Sequence, residues 1–258
     1  MDGKKYSMMI IKEPWELDVM RTAGGKLAEV FHYVSSLILP GISTEEIDKI
    51  AEDKIISLGA IPILKGYRVG EKEFPCATCI SINEEVVHGI PSKRILQDSD
   101  LVSLDISLAY NGYHSDMAVT IAMPHADFAL KNFIQNTEEC LRVGILSARQ
   151  SNRIGDIGHN IELAAKNLNL GIVTSFVGHG IGRSLHEEPP VPNFGKAGTG
   201  FLLKPGMVLA IEPMLSIGSG EIEILQDGWT AVTKDKSMSA HFEHTVAITA
   251  GGPRILTK

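Results

Sequence analysis

Leu101-Val102-Ser103-Leu104-Asp105-Ile106-Ser107-Leu108-Ala109-Tyr110-Asn111-Gly112-Tyr113-His114-Ser115-Asp116 sets one acid inside an apolar run and a second acid just past a turn. Asn-Gly is a strong type I′ hairpin signal, and the flanks 101–110 and 113–122 are rich in strand formers. With Asn111-Gly112 as a two-residue loop, Tyr110 faces Tyr113 and Ser107 faces Asp116. Asp105 then shares a sheet face with Asp116 as its diagonal neighbour, roughly 7 to 8 Å away between backbone positions. His114 falls on that face as well, and a one-residue slip would part the two acids. Aspartate is depleted in strands, and a buried acid without a partner costs several kcal/mol, so Asp105 needs a cation or a proton.

The second half of the chain repeats this order. His-Gly-Ile occurs as His88-Gly89-Ile90 and as His179-Gly180-Ile181, and each copy is followed by an apolar run ending in an acid, Asp105 or Glu212. A further acid follows in each half, Asp116 and Glu243. Before each copy stand two helical patterns: 13–39 and a helix opened by the capping box Ser43-Thr44-Glu45-Glu46 and stopped at Gly59, then 126–149 and 154–170. Strand alternation over 240–246 puts His241 beside Glu243 and sends His244 to the other face, while Pro213 biases Glu212 toward extended geometry. Two halves, about 11–123 and 124–255, with no low-complexity linker between them, predict one domain spanning 1–258. Paired, they would enclose a cavity lined by four acids, and four carboxylates together call for cations.

Composition narrows the class. The chain has 258 residues, 44% hydrophobic and 21% charged, an ordinary globular balance with room for a substantial core. It contains no apolar run of membrane-spanning length, and Met1-Asp2-Gly3-Lys4-Lys5-Tyr6 opens no signal peptide. With only 3 cysteines, too few for a disulfide framework, the expectation is a cytoplasmic protein. A net charge of -7 argues against general affinity for nucleic acid or an anionic membrane.

Single residues have duller readings. A lone aspartate on a hairpin is usually a solvated charge, and a lone histidine in an apolar stretch is usually a satisfied core residue. His32, His125 and His159 take that role, with His244 left open. Cys76-Ala77-Thr78-Cys79 resembles half of a zinc or redox site but has no second pair. Gly178-His179-Gly180-Ile181-Gly182 lacks the lysine of a phosphate loop and is expected to let backbone pass close to something bound. No Gly-x-Ser-x-Gly elbow and no His-Glu-x-x-His helix occurs, which leaves metal-assisted hydrolysis.

Asn83-Glu84-Glu85-Val86-Val87-His88-Gly89-Ile90-Pro91, Leu104-Asp105-Ile106, Ser115-Asp116, Gly178-His179-Gly180-Ile181-Gly182, Leu185-His186-Glu187-Glu188-Pro189, Ile211-Glu212-Pro213 and Glu243-His244-Thr245 together resemble type I methionine aminopeptidases, over about residues 11–255. The resemblance implies the α/β pita-bread fold, a pseudo-twofold duplicated half with an antiparallel sheet covered by helices. It implies two divalent ions, Co, Mn, Fe or Zn, held by Asp105, Asp116, His179, Glu212 and Glu243, with Asp116 and Glu243 bridging. Glu212 is then a general base, His88 and His186 contact substrate and act in catalysis, and Cys79 and Trp229 line a methionine pocket. The implied activity is removal of the initiator methionine from nascent proteins and peptides with a small second residue. The implied partners are nascent N-termini at the ribosome, and the implied state is a monomer.

Three departures stand out. The stretch 65–75 is longer than in many bacterial members, which puts methionine contact by Tyr67 or Phe74 in doubt. Leu185 replaces a common phenylalanine, and His241 a common glutamine. Type II members carry a helical insertion between His179 and Glu243, a span that is short here. The rivals are an Xaa-Pro aminopeptidase or prolidase of the same fold, which usually has an additional N-terminal domain, and a binding module, which would lack the ligands.

Overall fold

The structure, a computed structural model, describes residues 10–258, so the expectation for residues 1–6 lies outside it. The hairpin forms in the expected register. Leu101–Tyr110 pairs with Tyr113–Ala122, Ser107 opposite Asp116, and Asn111 and Gly112 take the positive φ values of 49° and 78° that the turn requires. This hairpin lies within a nine-stranded sheet. From Ile61–Pro62 the order runs through Leu101–Tyr110, Tyr113–Ala122, Glu243–Thr249, Val208–Ile211 and Gly178–Gly180 to Glu187–Val191. Thr78–Ile82 also pairs with Leu101–Tyr110, and Gly252–Ile255 with Glu243–Thr249, every pairing being antiparallel. The two halves meet where Tyr113–Ala122 pairs with Glu243–Thr249, so the strands bearing Asp116 and Glu243 are neighbours.

Helices α1 (Pro14–Ser35), α2 (Thr44–Ser57), α3 (Phe128–Ser147) and α4 (Ile154–Asn167) cover one face of the sheet. The capping box at Ser43 forms as expected, the Glu46 carboxylate accepting the Ser43 N–H at 2.9 Å. Other ends differ from expectation for local reasons. Pro40 disfavours helix at Leu39, and α1 ends four residues earlier, at Ser35. The Asp127 carboxylate accepts the Leu130 N–H at 2.8 Å, which starts α3 at Phe128. Asn169 takes φ 55° and ends α4 before Gly171 is reached.

Alternation along the strands divides core from site. Val102, Leu104, Ile106 and Leu108 are buried with Leu27, Val30 and Ile47 of the first helix pair. Leu209, Ile211, Val246 and Ile248 are buried with Cys140, Ile145 and Ile161 of the second. The residues between them, Asp105, Ser107, Ala210 and Thr245, are left for the opposite face. Two three-stranded sheets contribute to the walls above that face. They are Gly171–Ile172 with Met214–Ser216 and Ser239–His241, and Glu85–Val87 with Ile222–Ile224 and Ala231–Thr233. The single strand expected over 240–246 is therefore two strands in different sheets. The break falls at Phe242, whose side chain is buried in the core under α3 and α4 and whose N–H is 3.4 Å from the Pro213 carbonyl.

Candidate metal centre

Two adjacent rows of side chains on the open face bring the expected ligands together. In one row Cys79 pairs with Asp105, Asp105 with Ala118, and Ala118 with Glu243, while Glu212 follows the last pair of the neighbouring strand, Ile211 with His244. In the other row His179 pairs with Ala210, Ala210 with Thr245, and Thr245 meets Asp116 through two hydrogen bonds. The Asp116 N–H donates to Thr245 Oγ1 at 3.0 Å, and that hydroxyl donates to the Asp116 carbonyl at 2.8 Å. Each row carries an alanine, Ala118 between Asp105 and Glu243 and Ala210 between His179 and Thr245, which leaves space on the open face.

The side chains converge accordingly. Ligand atoms of Asp116, His179 and Glu243 lie within 4.8 Å of one another, as do those of Glu212, His241 and Glu243. His179 Nε2 stands 3.7 Å from Asp116 Oδ2 and 3.5 Å from Glu212 Oε1. Those separations suit donors that share an ion, since donors at roughly 2.0 to 2.2 Å from one centre stand roughly 3 to 4 Å apart. His179 Nδ1 lies 2.9 Å from the Gly180 carbonyl, which holds the proton on Nδ1 and leaves Nε2 bare toward the acids. Ser107 Oγ donates to Asp116 Oδ1 at 2.6 Å and orients that carboxylate. Asp105 belongs to neither compact group but opens into the same cavity.

Electrostatics asks for cations. Burial pushes the Asp116 carboxyl up to about 7 and that of Glu212 up to about 8. Asp105 and Glu243 lie well above the carboxylate range, by burial first and then by their acidic neighbours. Burial drives the imidazoles the other way, His179 to about 3 and His88 and His241 to about 4, which keeps them neutral. Glu243 Oε1 and His241 Nε2 are buried without hydrogen-bond partners. Carboxylate oxygens plus neutral imidazole fit first-row divalent ions, so the residues present suit the implied metal.

A cavity of about 310 Å³ opens beside the acids, with His88, His186, Cys79 and Trp229 on its walls. Tyr67 and Phe74 also line it, despite the longer 65–75 stretch, which folds back as a short hairpin of Arg68–Val69 and Lys72–Glu73. The Tyr67 hydroxyl lies 2.5 Å from His186 Nδ1, and Phe74 meets Trp229 edge-on at 5.2 Å. His88 is held at φ 60°, a sparsely populated backbone state for a non-glycine residue, with its ring edge-on to Phe176 at 5.2 Å. Leu64, Phe176 and Met214 add to the apolar wall. Sequence reasoning missed these three, because an apolar residue facing a pocket carries the same local signal as one facing the core.

Other expectations are settled by contacts. His244 lies on the helix side with Nδ1 2.8 Å from Thr257 Oγ1, and His125 pairs with Asp98. Cys76 and Cys79 are free thiols. The glycines around His179 do admit a close approach, but of the chain itself. A Cβ at Gly178 would stand 2.4 Å from the Ala210 carbonyl oxygen, and one at Gly180 2.3 Å from that of Glu188. His114, on the expected face by register, points its Nδ1 to within 3.2 Å of the Gly182 carbonyl.

Residues 18–250 match the model of metallopeptidase family M24. The chain is 45% identical to methionine aminopeptidase 1 of Bacillus subtilis (strain 168) over 251 residues, covering 97% of this chain and 100% of that protein. It superposes on the crystal structure of methionine aminopeptidase from Rickettsia prowazekii with a TM-score of 0.94 at 35% identity, covering 97% of this chain and all of that one. The prolidase from Pyrococcus furiosus gives a TM-score of 0.77 at 21% identity with 66% of its chain covered, a likeness of fold alone.

Proposed function

We propose, from the premise that this chain belongs to metallopeptidase family M24 and within it to the methionine aminopeptidases, that it removes the N-terminal methionine of nascent proteins and peptides when the second residue is small. The observation that carries this reading is the pair of rows that lays Asp105, Asp116, His179, Glu212 and Glu243 beside an apolar cavity. We assign those five residues to two divalent ions, drawn from Co, Mn, Fe or Zn. Such ions, when bound, supply Lewis acidity and bring the pKa of water toward neutrality.

The protein side chains do the remainder. Glu212, whose carboxylate lines the cavity beside the other acids, serves as general base for the attacking water. We assign the Tyr67 hydroxyl as the donor to His186 Nδ1, 2.5 Å away, which puts the imidazole proton on Nε2, where it donates a hydrogen bond to the tetrahedral intermediate. His88 supplies a second such donor. Cys79, Trp229, Tyr67 and Phe74 form a polarizable, aromatic wall suited to a thioether. The chain after the scissile bond leaves between His88 and His186, and that passage limits the second residue. We further assign one catalytic domain across 1–258, acting as a cytoplasmic monomer on N-termini emerging at the ribosome. No helix among the described residues is long and apolar enough to cross a membrane.

The test is to incubate metal-loaded protein with Met-Ala-Ser, Met-Leu-Ser, Leu-Ala-Ser and Ala-Pro-Ala and identify products by mass. Cleavage of Met-Ala-Ser far above the rest is expected. Comparable turnover of Met-Leu-Ser would remove the small-residue claim, and preference for Ala-Pro-Ala would replace methionine with a proline specificity.

A further inference from the structure

His241 is a buried donor that points at the metal centre without belonging to the five expected ligands. It is 2% exposed, and its Nε2 has no hydrogen-bond partner. That nitrogen stands 3.5 Å from Glu212 Oε2, while Glu212 Oε1 stands 3.5 Å from His179 Nε2. One carboxylate is therefore bracketed by two imidazoles. The ligand atoms of Glu212, His241 and Glu243 are as close together as those of Asp116, His179 and Glu243, within 4.8 Å in both groups. The Thr120 hydroxyl fixes the His241 backbone, accepting its N–H at 2.8 Å and donating to its carbonyl at 2.9 Å, and the imidazole is packed in the interior above it.

A buried imidazole nitrogen with no partner is destabilising, and a second orphan, Glu243 Oε1, belongs to the same cluster. A cation seated among Glu212, His241 and Glu243 satisfies both atoms at once. We propose that His241 is a sixth protein ligand, giving its Nε2 lone pair to a divalent ion shared with Glu212 and Glu243. The inference rests on the metal-centre reading above and extends it. Two imidazoles rather than one make the donor set softer, and this tilts occupancy toward Zn or Co and away from Mn.

The test compares wild type, H241Q and H241N, each loaded with Co and dialysed. Bound metal is counted by elemental analysis, and histidine ligands are counted by X-ray absorption. Two imidazoles per wild-type protein and one in each variant are expected, with affinity for one ion lowered by at least about tenfold. Melting of the metal-free proteins identifies a variant that has failed to fold, and either variant suffices. An unchanged imidazole count in a folded variant overturns the proposal even if affinity falls, since His241 would then only orient Glu212. Wild type that binds no metal at all would instead overturn the metal-centre reading on which the proposal stands.

Discussion

Ala118 stands between Asp105 and Glu243 in the row of acids and is wholly buried. A valine there would push two methyl groups into the space the acids share. We expect Ala118→Val to cost about 1 to 3 kcal/mol in overpacking and to weaken metal binding together with activity. Calorimetric titration with Co checks it, and unaltered affinity would mean the alanine is not what keeps the acids apart. The histidines separate by role. His179→Ala should lose metal and activity together, whereas His88→Ala and His186→Ala should keep their metal and lower kcat. If metal analysis finds His186→Ala as depleted as His179→Ala, that division is wrong. The gathering of the acids was legible in the sequence because an acid inside a run such as Leu101-Val102-Ser103-Leu104-Asp105 conflicts with its surroundings. Phe176 and Met214 raise no such conflict, so their place in the wall needed coordinates.

At the scale of elements, register carries the site, and the turn at Asn111-Gly112 fixes that register. Gly112 has φ 78° and open space where a Cβ would go, so Gly112→Ala meets only backbone strain. About 1 to 2 kcal/mol should be lost with metal content intact. Gly180→Ala differs, because its Cβ would collide with the Glu188 carbonyl oxygen across the strand pair and displace the adjoining His179. Metal loss out of proportion to the drop in melting temperature is expected there. Equal behaviour of the two variants would show that strand spacing at His179 does not govern the centre. The hairpin and both helix pairs were readable from turn chemistry and periodicity. The switch of sheets at Phe242 was not, because apolar alternation continues through Ala240-His241-Phe242-Glu243 while the backbone changes partners. Helix ends were missed where a single residue decides them, as Asn169 does.

For the whole molecule, four acids in one buried cavity oppose folding unless cations or protons accompany them. Asp116 rises from 3.8 to about 7 and Glu212 from 4.5 to about 8 on burial, so the metal-free folded state binds protons that the unfolded chain has released. Stability from these groups is full below the unfolded values and is lost as pH rises through the folded ones. The buried histidines act with the opposite sign: His179, His88 and His241 fall from 6.5 to about 3 or 4, and their cost appears only as pH drops below 6.5. Between about pH 6.5 and 8 the acids therefore dominate, and the metal-free protein should lose up to about 1.4 kcal/mol per pH unit for each proton released. Bound ions replace those protons, and because they select deprotonated ligands their hold tightens over the same window. The melting temperature of chelator-treated protein should fall from pH 6.5 to 8 while that of metal-loaded protein stays nearly level, so the gap between them widens. At a fixed pH the metal should add RT ln(1 + [L]/Kd), about 2.7 kcal/mol at a hundredfold excess over Kd. Should the gap stay constant with pH although elemental analysis confirms complete removal of metal, the acids are not buried together and the shared cavity is not where cations bind.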